Sequence, residues 1–181
     1  YRTVPGVQYG MGLSTSWKNF EFNILFQGSG KCDFFIGGNG PHAFRNGQTG
    51  NILQTMVDDN RWIPSEISGD ISTENPNANW PRLTWGNNDN NNQKSTFWLR
   101  DGRYIRLKNI ELRYNVPTTF TRKFFVSNMQ IGFIGENLHT WSPFKLWDPE
   151  NATTDEKNSG VRSGNAYPIN RTYSCYIKLS F

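Results

Sequence analysis

What most constrains this chain is an alternation that recurs in well-separated stretches. In its final run, Tyr173, Cys175, Ile177, Leu179 and Phe181 take turns with Ser174, Tyr176, Lys178 and Ser180. A two-residue period of this kind is a strand with one apolar and one mostly polar face. The pattern also spans residues 6–17, where Val7, Tyr9, Met11, Leu13 and Trp17 share a face. It resumes over 20–28, with Phe20, Phe22, Ile24 and Phe26 together and Leu25 as the exception. Lys18-Asn19 between these two runs has the length of a tight hairpin turn. Further strands are expected over 104–116 and 128–138, and the last one over 169–181. Ile105 and Leu107 fall out of phase with Ile110, Leu112, Tyr114 and Val116, which places a bulge near Lys108. Such a face meets a protein core in a soluble sheet and lipid in a transmembrane barrel, and the period does not choose between them.

The composition leans toward the second. Hydrophobic residues make up only 35% of the 181, yet aromatics reach 15%, and the mean hydropathy is −0.68. The apolar surface is therefore concentrated in Phe, Trp and Tyr. No run approaches the roughly 20 apolar residues of a membrane helix, which leaves a barrel open. The net charge of +4 comes from dispersed basic residues, whereas tracking nucleic-acid phosphates needs a clustered basic face. Cys32 and Cys175 lie in unlike settings and are expected as two separate thiols. The first residues carry neither a basic nor an apolar leader region, and a piece of a longer protein is expected.

The connections add a further constraint. Those at Lys18-Asn19 and across Pro117 to Ser127 are short, and those near 29–103 and 139–168 are long. All the long connections thus leave one end of the strands, the asymmetry of an outer-membrane barrel. The first long connection holds Gly37-Gly-Asn-Gly40, a short helix candidate around Asn51 to Asp59, a Pro- and Trp-rich stretch, and the tract Asn87 to Asn92, which is too polar to build a core. Ser95 to Arg100 reads as a short strand outside the membrane.

Three stretches resemble the carboxyl-terminal part of the SusC/RagA family of TonB-dependent outer-membrane transporters. They are Asp101-Gly-Arg-Tyr-Ile-Arg-Leu-Lys-Asn-Ile-Glu-Leu-Arg-Tyr-Asn-Val-Pro117, Gly135-Glu-Asn-Leu138 followed by Trp147-Asp-Pro-Glu150, and Tyr167-Pro-Ile-Asn-Arg-Thr-Tyr173 leading to Phe181. Tyr9 to Phe22 and Phe26-Gln-Gly28 resemble that family's preceding hairpin. The resemblance implies an all-β fold: about the last five antiparallel strands of a 22-stranded transmembrane barrel with long extracellular loops. It also implies a Gram-negative cell outer membrane location, with the plug domain and the TonB-contacting region lying outside residues 1–181. The implied activity is import of glycans or oligopeptides. The implied partners are the remaining strands and plug, a SusD-like surface lipoprotein, TonB, the barrel-assembly machinery and outer-membrane lipid, with no nucleic acid. The alternative is a soluble β-rich carbohydrate-binding module.

The resemblance makes Tyr173, Ile177, Leu179 and Phe181 a barrel-assembly signal. Trp62, Trp80, Arg82, Trp85, Trp141 and Trp147 are candidate substrate- or lid-facing loop residues, since the tryptophan rings suit sugar faces or peptide side chains and Arg82 suits either ligand contact or a loop salt bridge. Each is weighed against a role in pinning loops together. No catalytic, metal or cofactor-binding residue is assigned. Asp58-Asp59 and Asp148 with Glu150 are carboxylate pairs without the context of glycoside hydrolysis, and His42 and His139 accompany no nucleophile motif.

Overall fold

A computed structural model describes residues 2–38, 40–45, 50–58, 61–150, 160–164 and 166–181. Asn39 and Asp59, named above within a glycine-rich stretch and a carboxylate pair, lie outside them. The chain divides into two compact units. One comprises Asp33–Arg100 and Asn151–Tyr167, the other Arg2–Cys32, Asp101–Glu150 and Pro168–Phe181.

The second unit is an antiparallel sheet of five long strands, β1 (Gln8–Trp17), β2 (Phe20–Ser29), β5 (Tyr104–Val116), β6 (Asn128–Trp141) and β8 (Thr172–Ser180), in the spatial order β1-β2-β5-β6-β8. Trp17 pairs with Phe20 across the Lys18-Asn19 turn. Lys18 takes a positive φ of 53° there, as primed hairpin turns require. The end of β5 fastens onto this turn, the Asn19 side-chain amide donating to the Asn115 carbonyl at 2.7 Å. Between β5 and β6 the chain turns through Pro117, α1 (Thr118–Thr121) and a 3-10 turn over Arg122–Phe124. β6 runs on through Trp141, three residues beyond its expected end.

Register turns the five alternations into continuous rows. Leu13, Ile24, Ile110, Gly135 and Tyr173 align across the sheet, as do Trp17, Phe20, Tyr114, Ile131 and Ile177. Tyr9, Gly28, Ile105 and Trp141 form the row at the opposite end. Against β2 the pairing slips, Leu25 meeting Asn109 and Phe26 meeting Leu107, so Lys108 is the extra residue that brings Ile105 and Leu107 back onto the face of Ile110 and Leu112. This face is exposed: Met11 at 65%, Leu13 at 60% and Ile177 at 63%. Each such side chain left in water would forgo about 1.5–3 kcal/mol.

The first unit is built the ordinary way round. β3 (Asp33–Ile36) lies between β4 (Leu99–Asp101) and β7 (Val161–Arg162) in a three-stranded sheet, with β7 parallel to it. Phe34, Phe35, Ile36, Met56, Trp80 and Trp98 are all buried. The expectation of one long loop over 29–103 is thus corrected: it contains β3, whose four residues Asp33-Phe-Phe-Ile36 are buried on both faces and so show no alternation. The expected helix near 51–59 is α2 (Gln54–Asp58), and the strand expected from Ser95 is only β4. A second short helix, α3 (Ser65–Ser68), has its first turn capped from a distance. Glu74 accepts hydrogen bonds from the Ser65 amide at 2.6 Å and its hydroxyl at 2.7 Å, which holds the Glu74 carboxyl below its ordinary value. Among the described residues no helix is long and apolar enough to cross a membrane.

Candidate functional site

The face of the five-stranded sheet opposite the apolar rows carries its chemistry. Glu21 and Asn23 come from β2, Glu111, Arg113 and Asn115 from β5, Gln130 from β6 and Tyr176 from β8, all placed by the same two-residue period. They form one hydrogen-bonded ladder. Arg113 binds Glu21 at 3.1 Å and Glu111 at 2.9 Å. The Asn115 amide donates to Glu21 at 2.8 Å, Asn23 to Glu111 at 3.2 Å, Gln130 to Asn115 at 2.8 Å and the Tyr176 hydroxyl to Glu111 at 3.2 Å. Tyr176 crosses the sheet because Gly132 opposite it has no side chain: a Cβ there would collide with the tyrosine ring. Lys178 pairs with Gln130 on this same polar face.

Higher on that face sits Arg106, whose side chain is 1% exposed. Its guanidinium holds Asp148 at 2.5 and 2.6 Å and forms an ion pair with Glu150 at 3.0 Å. Asp148 Oδ1 also accepts from the Glu150 amide at 2.9 Å. The carboxylate pair noted in the sequence is therefore a clasp that ties the connection after β6 back onto β5. A cavity of about 250 Å³ adjoins it, lined by Asn137, Lys145, Trp147 and Arg171 among others. Trp147 Nε1 and Asn137 Oδ1 are buried without protein partners, and a polar space of this size suits ordered water.

The candidate loop residues separate. Trp80 is 6% exposed and belongs to the core of the first unit, its ring 6.3 Å from that of Trp98. The cavity it lines with Arg82 measures only about 20 Å³, enough for one water and too small for a sugar ring. The Trp62 amide donates to the Trp80 carbonyl at 2.9 Å. Trp85 is exposed and rests on Phe44 at 5.0 Å. Trp147 packs edge-on against Phe144 at 4.8 Å, beside the clasp. Trp141 is not a loop residue: it closes β6 in the apolar row with Ile105, its ring 4.5 Å from that of His139. His42, at the edge of the Trp98 ring, is buried, and its pKa is lowered to about 4 by that burial and by the charge of Arg45. Tyr173, Ile177 and Leu179 lie on the exposed apolar face of β8, with Phe181 just past the strand.

Sequence reading anticipated the faces but not the clasp. Arg106 was one basic residue in an alternating strand, and its partners lie 42 and 44 residues downstream. The adjacent carboxylates of the Trp147-Asp-Pro-Glu150 stretch were the only local sign.

An apolar outward face over a bonded polar one is a sheet turned inside out, and known proteins contain the same arrangement. The chain is 28% identical over 182 residues to the TonB-dependent receptor P26 of Formosa agariphila, covering 98% of this chain and 17% of the relative. It is 27% identical over 186 residues to the TonB-dependent receptor P3 of the same organism, covering 98% and 16%. Among solved structures it resembles the RagAB peptide importer in its open-open state, with a TM-score of 0.68 and 22% identity over 99% of this chain and 17% of that one. For the closed-closed state the TM-score is 0.69 and the identity 21%. The chain is similar in sequence to TonB-dependent receptors and in fold to part of RagAB. No protein-family model matches it. The segment spans about one sixth of the length of these relatives, and its five long strands are a sector of a transmembrane β-barrel. The exposed rows accordingly face lipid, and the ladder faces the lumen.

Proposed function

We propose that this segment supplies the carboxyl-terminal wall of a 22-stranded, TonB-dependent importer in a Gram-negative outer membrane. The observation that carries the reading is the inverted sheet, which presents apolar rows outward and a bonded polar ladder inward. Rows from Trp17 to Tyr9 span eight residues, roughly 27 Å along the strand and about 20 Å in height once tilted, close to the apolar band of such barrels. Aromatic residues bound both ends, as bilayer interfaces favour. β1 and β8 each lack a neighbour on one side among the described residues. Open edges in lipid leave backbone groups unsatisfied, so the remaining strands of the transporter are their natural partners.

The imported cargo on this reading is a large nutrient, an oligopeptide or a glycan. The likeness to a peptide importer supports the former class of cargo, and its RagB component supports a SusD-like surface lipoprotein over the mouth of the barrel. Drive through TonB and closure by a plug belong to the rest of the polypeptide. Tyr173, Ile177, Leu179 and Phe181 act as the assembly signal of the last strand. Trp62, Trp85 and Arg82 remain the candidates for contact with cargo or lipoprotein, because their side chains are not committed to a core.

The test is made on the parent protein. It should need detergent to stay monodisperse, migrate differently on gels when heated, and co-purify with a surface lipoprotein, and its deletion should abolish growth on one class of oligomeric nutrient. A parent that remains monodisperse and folded without detergent refutes the barrel. A barrel whose deletion leaves uptake of every peptide and glycan unchanged refutes the importer.

A further inference from the structure

The recess beside the Arg106 clasp holds more positive charge and more hydrogen-bond donors than its own residues use. It is the cavity of about 250 Å³ described above, and every residue lining it belongs to the five-stranded unit. Arg106 pairs in register with Thr140, which also lines it, so the recess lies on the polar face of the sheet. Arg106, Lys145 and Arg171 line it against one carboxylate, Asp148. Both oxygens of Asp148 are engaged, Oδ1 by Arg106 and the Glu150 amide and Oδ2 by Arg106, and Glu150 is paired with the same guanidinium. Lys145 and Arg171 are exposed and enter no ion pair among the described residues. Three buried polar atoms of the lining residues also have no partner among the described residues: the donors Arg106 Nε and Trp147 Nε1 and the acceptor Asn137 Oδ1. Such groups are costly to leave unpaired. Unpaired donors and a single unpaired acceptor, beside two uncommitted cations, complement an anion that carries one hydrogen-bond donor next to its charge.

We infer that this recess binds the terminal carboxylate of an oligopeptide. Lys145 and Arg171 meet its charge, the Trp147 indole donates to it, Asn137 Oδ1 accepts from the amide of the last residue, and Arg106 adds its charge from beneath. The inference rests on the importer reading and names the end of the cargo that the wall holds. The match of donors to acceptors selects this group. An inorganic anion such as sulfate has no donor for Asn137 Oδ1. A uronic acid ring brings several hydroxyls, each seeking an acceptor, and Asn137 Oδ1 is the one spare acceptor among the described lining residues. The last residue of a peptide presents one N–H beside its carboxylate. Phe144, buried, and Ile169 give the recess an apolar wall for that residue's side chain, in a space several waters in size.

The experiment uses the full transporter in detergent and a randomised pool of short peptides, made once with free carboxyl ends and once with amidated ends. Native mass spectrometry reads how much of each is retained. The free-acid pool should exceed the amide by about tenfold or more, the scale of a lost charge-assisted contact, and acetylating the amino ends should leave that ratio unchanged. K145Q/R171Q should lower the free-acid pool to the level of the amide, while K123Q in the short turn between β5 and β6 preserves the difference. Heat-modifiable migration reports whether the double variant has folded; where it has not, R171Q alone should lower free-acid retention about threefold or more. Equal retention of the two pools, or a preference for the free acid that survives in the folded variants, overturns the inference and leaves the importer intact. Retention of a uronic acid oligosaccharide in place of the free-acid pool, lost in K145Q/R171Q, also overturns it and assigns the recess to acidic glycans. A parent whose deletion leaves all peptide and glycan uptake unchanged overturns the importer itself.

Discussion

The two units of this chain bury opposite things. In the unit around β3, Phe34 and Ile36 are each 1% exposed, and Met56, Trp80 and Trp98 are buried with them. In the five-stranded sheet the residue exposed to 1% is Arg106, while Leu13 and Ile177 are at about 60%. The amino acids are the same and the backbone is sheet in both, so the difference lies in the solvent. Water enforces the first arrangement. The second is stable only where hydrocarbon replaces water on the outer face and a wet lumen supports the ladder on the inner one. One polypeptide thus carries a reference for each medium, and substitutions can ask whether each unit obeys its own.

The largest effect is expected at Trp98, which is 3% exposed, donates from Nε1 to the Asn91 carbonyl at 2.6 Å and meets both His42 and Trp80. Trp98→Ala should cost the first unit about 3–5 kcal/mol, seen as rapid hydrogen exchange across Asp33–Arg100 with the heat-modifiable migration of the parent unchanged. If migration is lost as well, the two units do not respond separately. Next comes Leu13, in the middle row of the lipid face. Leu13→Arg should destabilise the folded barrel by about 2–4 kcal/mol in urea unfolding from lipid vesicles. The same change at exposed Ile71 in the first unit should fall within about 0.5 kcal/mol. Equal costs at the two sites would mean that Leu13 does not face lipid.

Arg106→Ala removes the cation from Asp148 and Glu150. Loss of one member of a fully buried pair costs about 3–5 kcal/mol, and here, with the carboxylates retaining 17% and 30% exposure, about 2 kcal/mol is expected. Accelerated exchange confined to residues 142–150 is the expected readout. Unchanged exchange there would show that the loop is held by Phe144 and Trp147 rather than by the ion pair.

These residues also show what the sequence made legible. The lipid and lumen faces could be read because a strand reports its two sides every second residue, and the slip at Lys108 could be read because it breaks that rhythm. β3 could not, since burial on both faces removes the contrast on which the reading depends. Trp80 and Trp141 were equivalent as loop tryptophans on paper. One fills a core and the other closes a lipid-facing row, and only the elements around them separate the two. The Arg106 clasp escaped for another reason: its partners are distant along the chain, and burial of an arginine follows from packing that no local pattern encodes.

The smallest effect is the most selective. His42 is buried against Trp98 and near Arg45, and its pKa falls to about 4, against about 6.5 in an unfolded chain. Between these values the unfolded form binds more protons than the folded one, so stability rises with pH across that window. The contribution is fully present above about pH 6.5 and is lost progressively as pH falls toward 4. Between pH 6.5 and 5 the first unit should weaken by on the order of 1–2 kcal/mol, measured as faster proteolysis or hydrogen exchange within Asp33–Arg100. His42→Gln, which does not titrate, should flatten this dependence. The five-stranded sheet serves as the internal standard, because the histidine it carries, His139, is exposed where His42 is buried. A decline of equal steepness in both units, or one that persists in His42→Gln, would assign the acid sensitivity to carboxylates instead. Asp70 and Glu74 are the first to examine in that case, since both are held below their ordinary values by hydrogen bonds from Ser72 and Ser65. Their contribution would disappear at lower pH, as those carboxylates protonate, and the midpoint of the decline therefore distinguishes the imidazole from the acids.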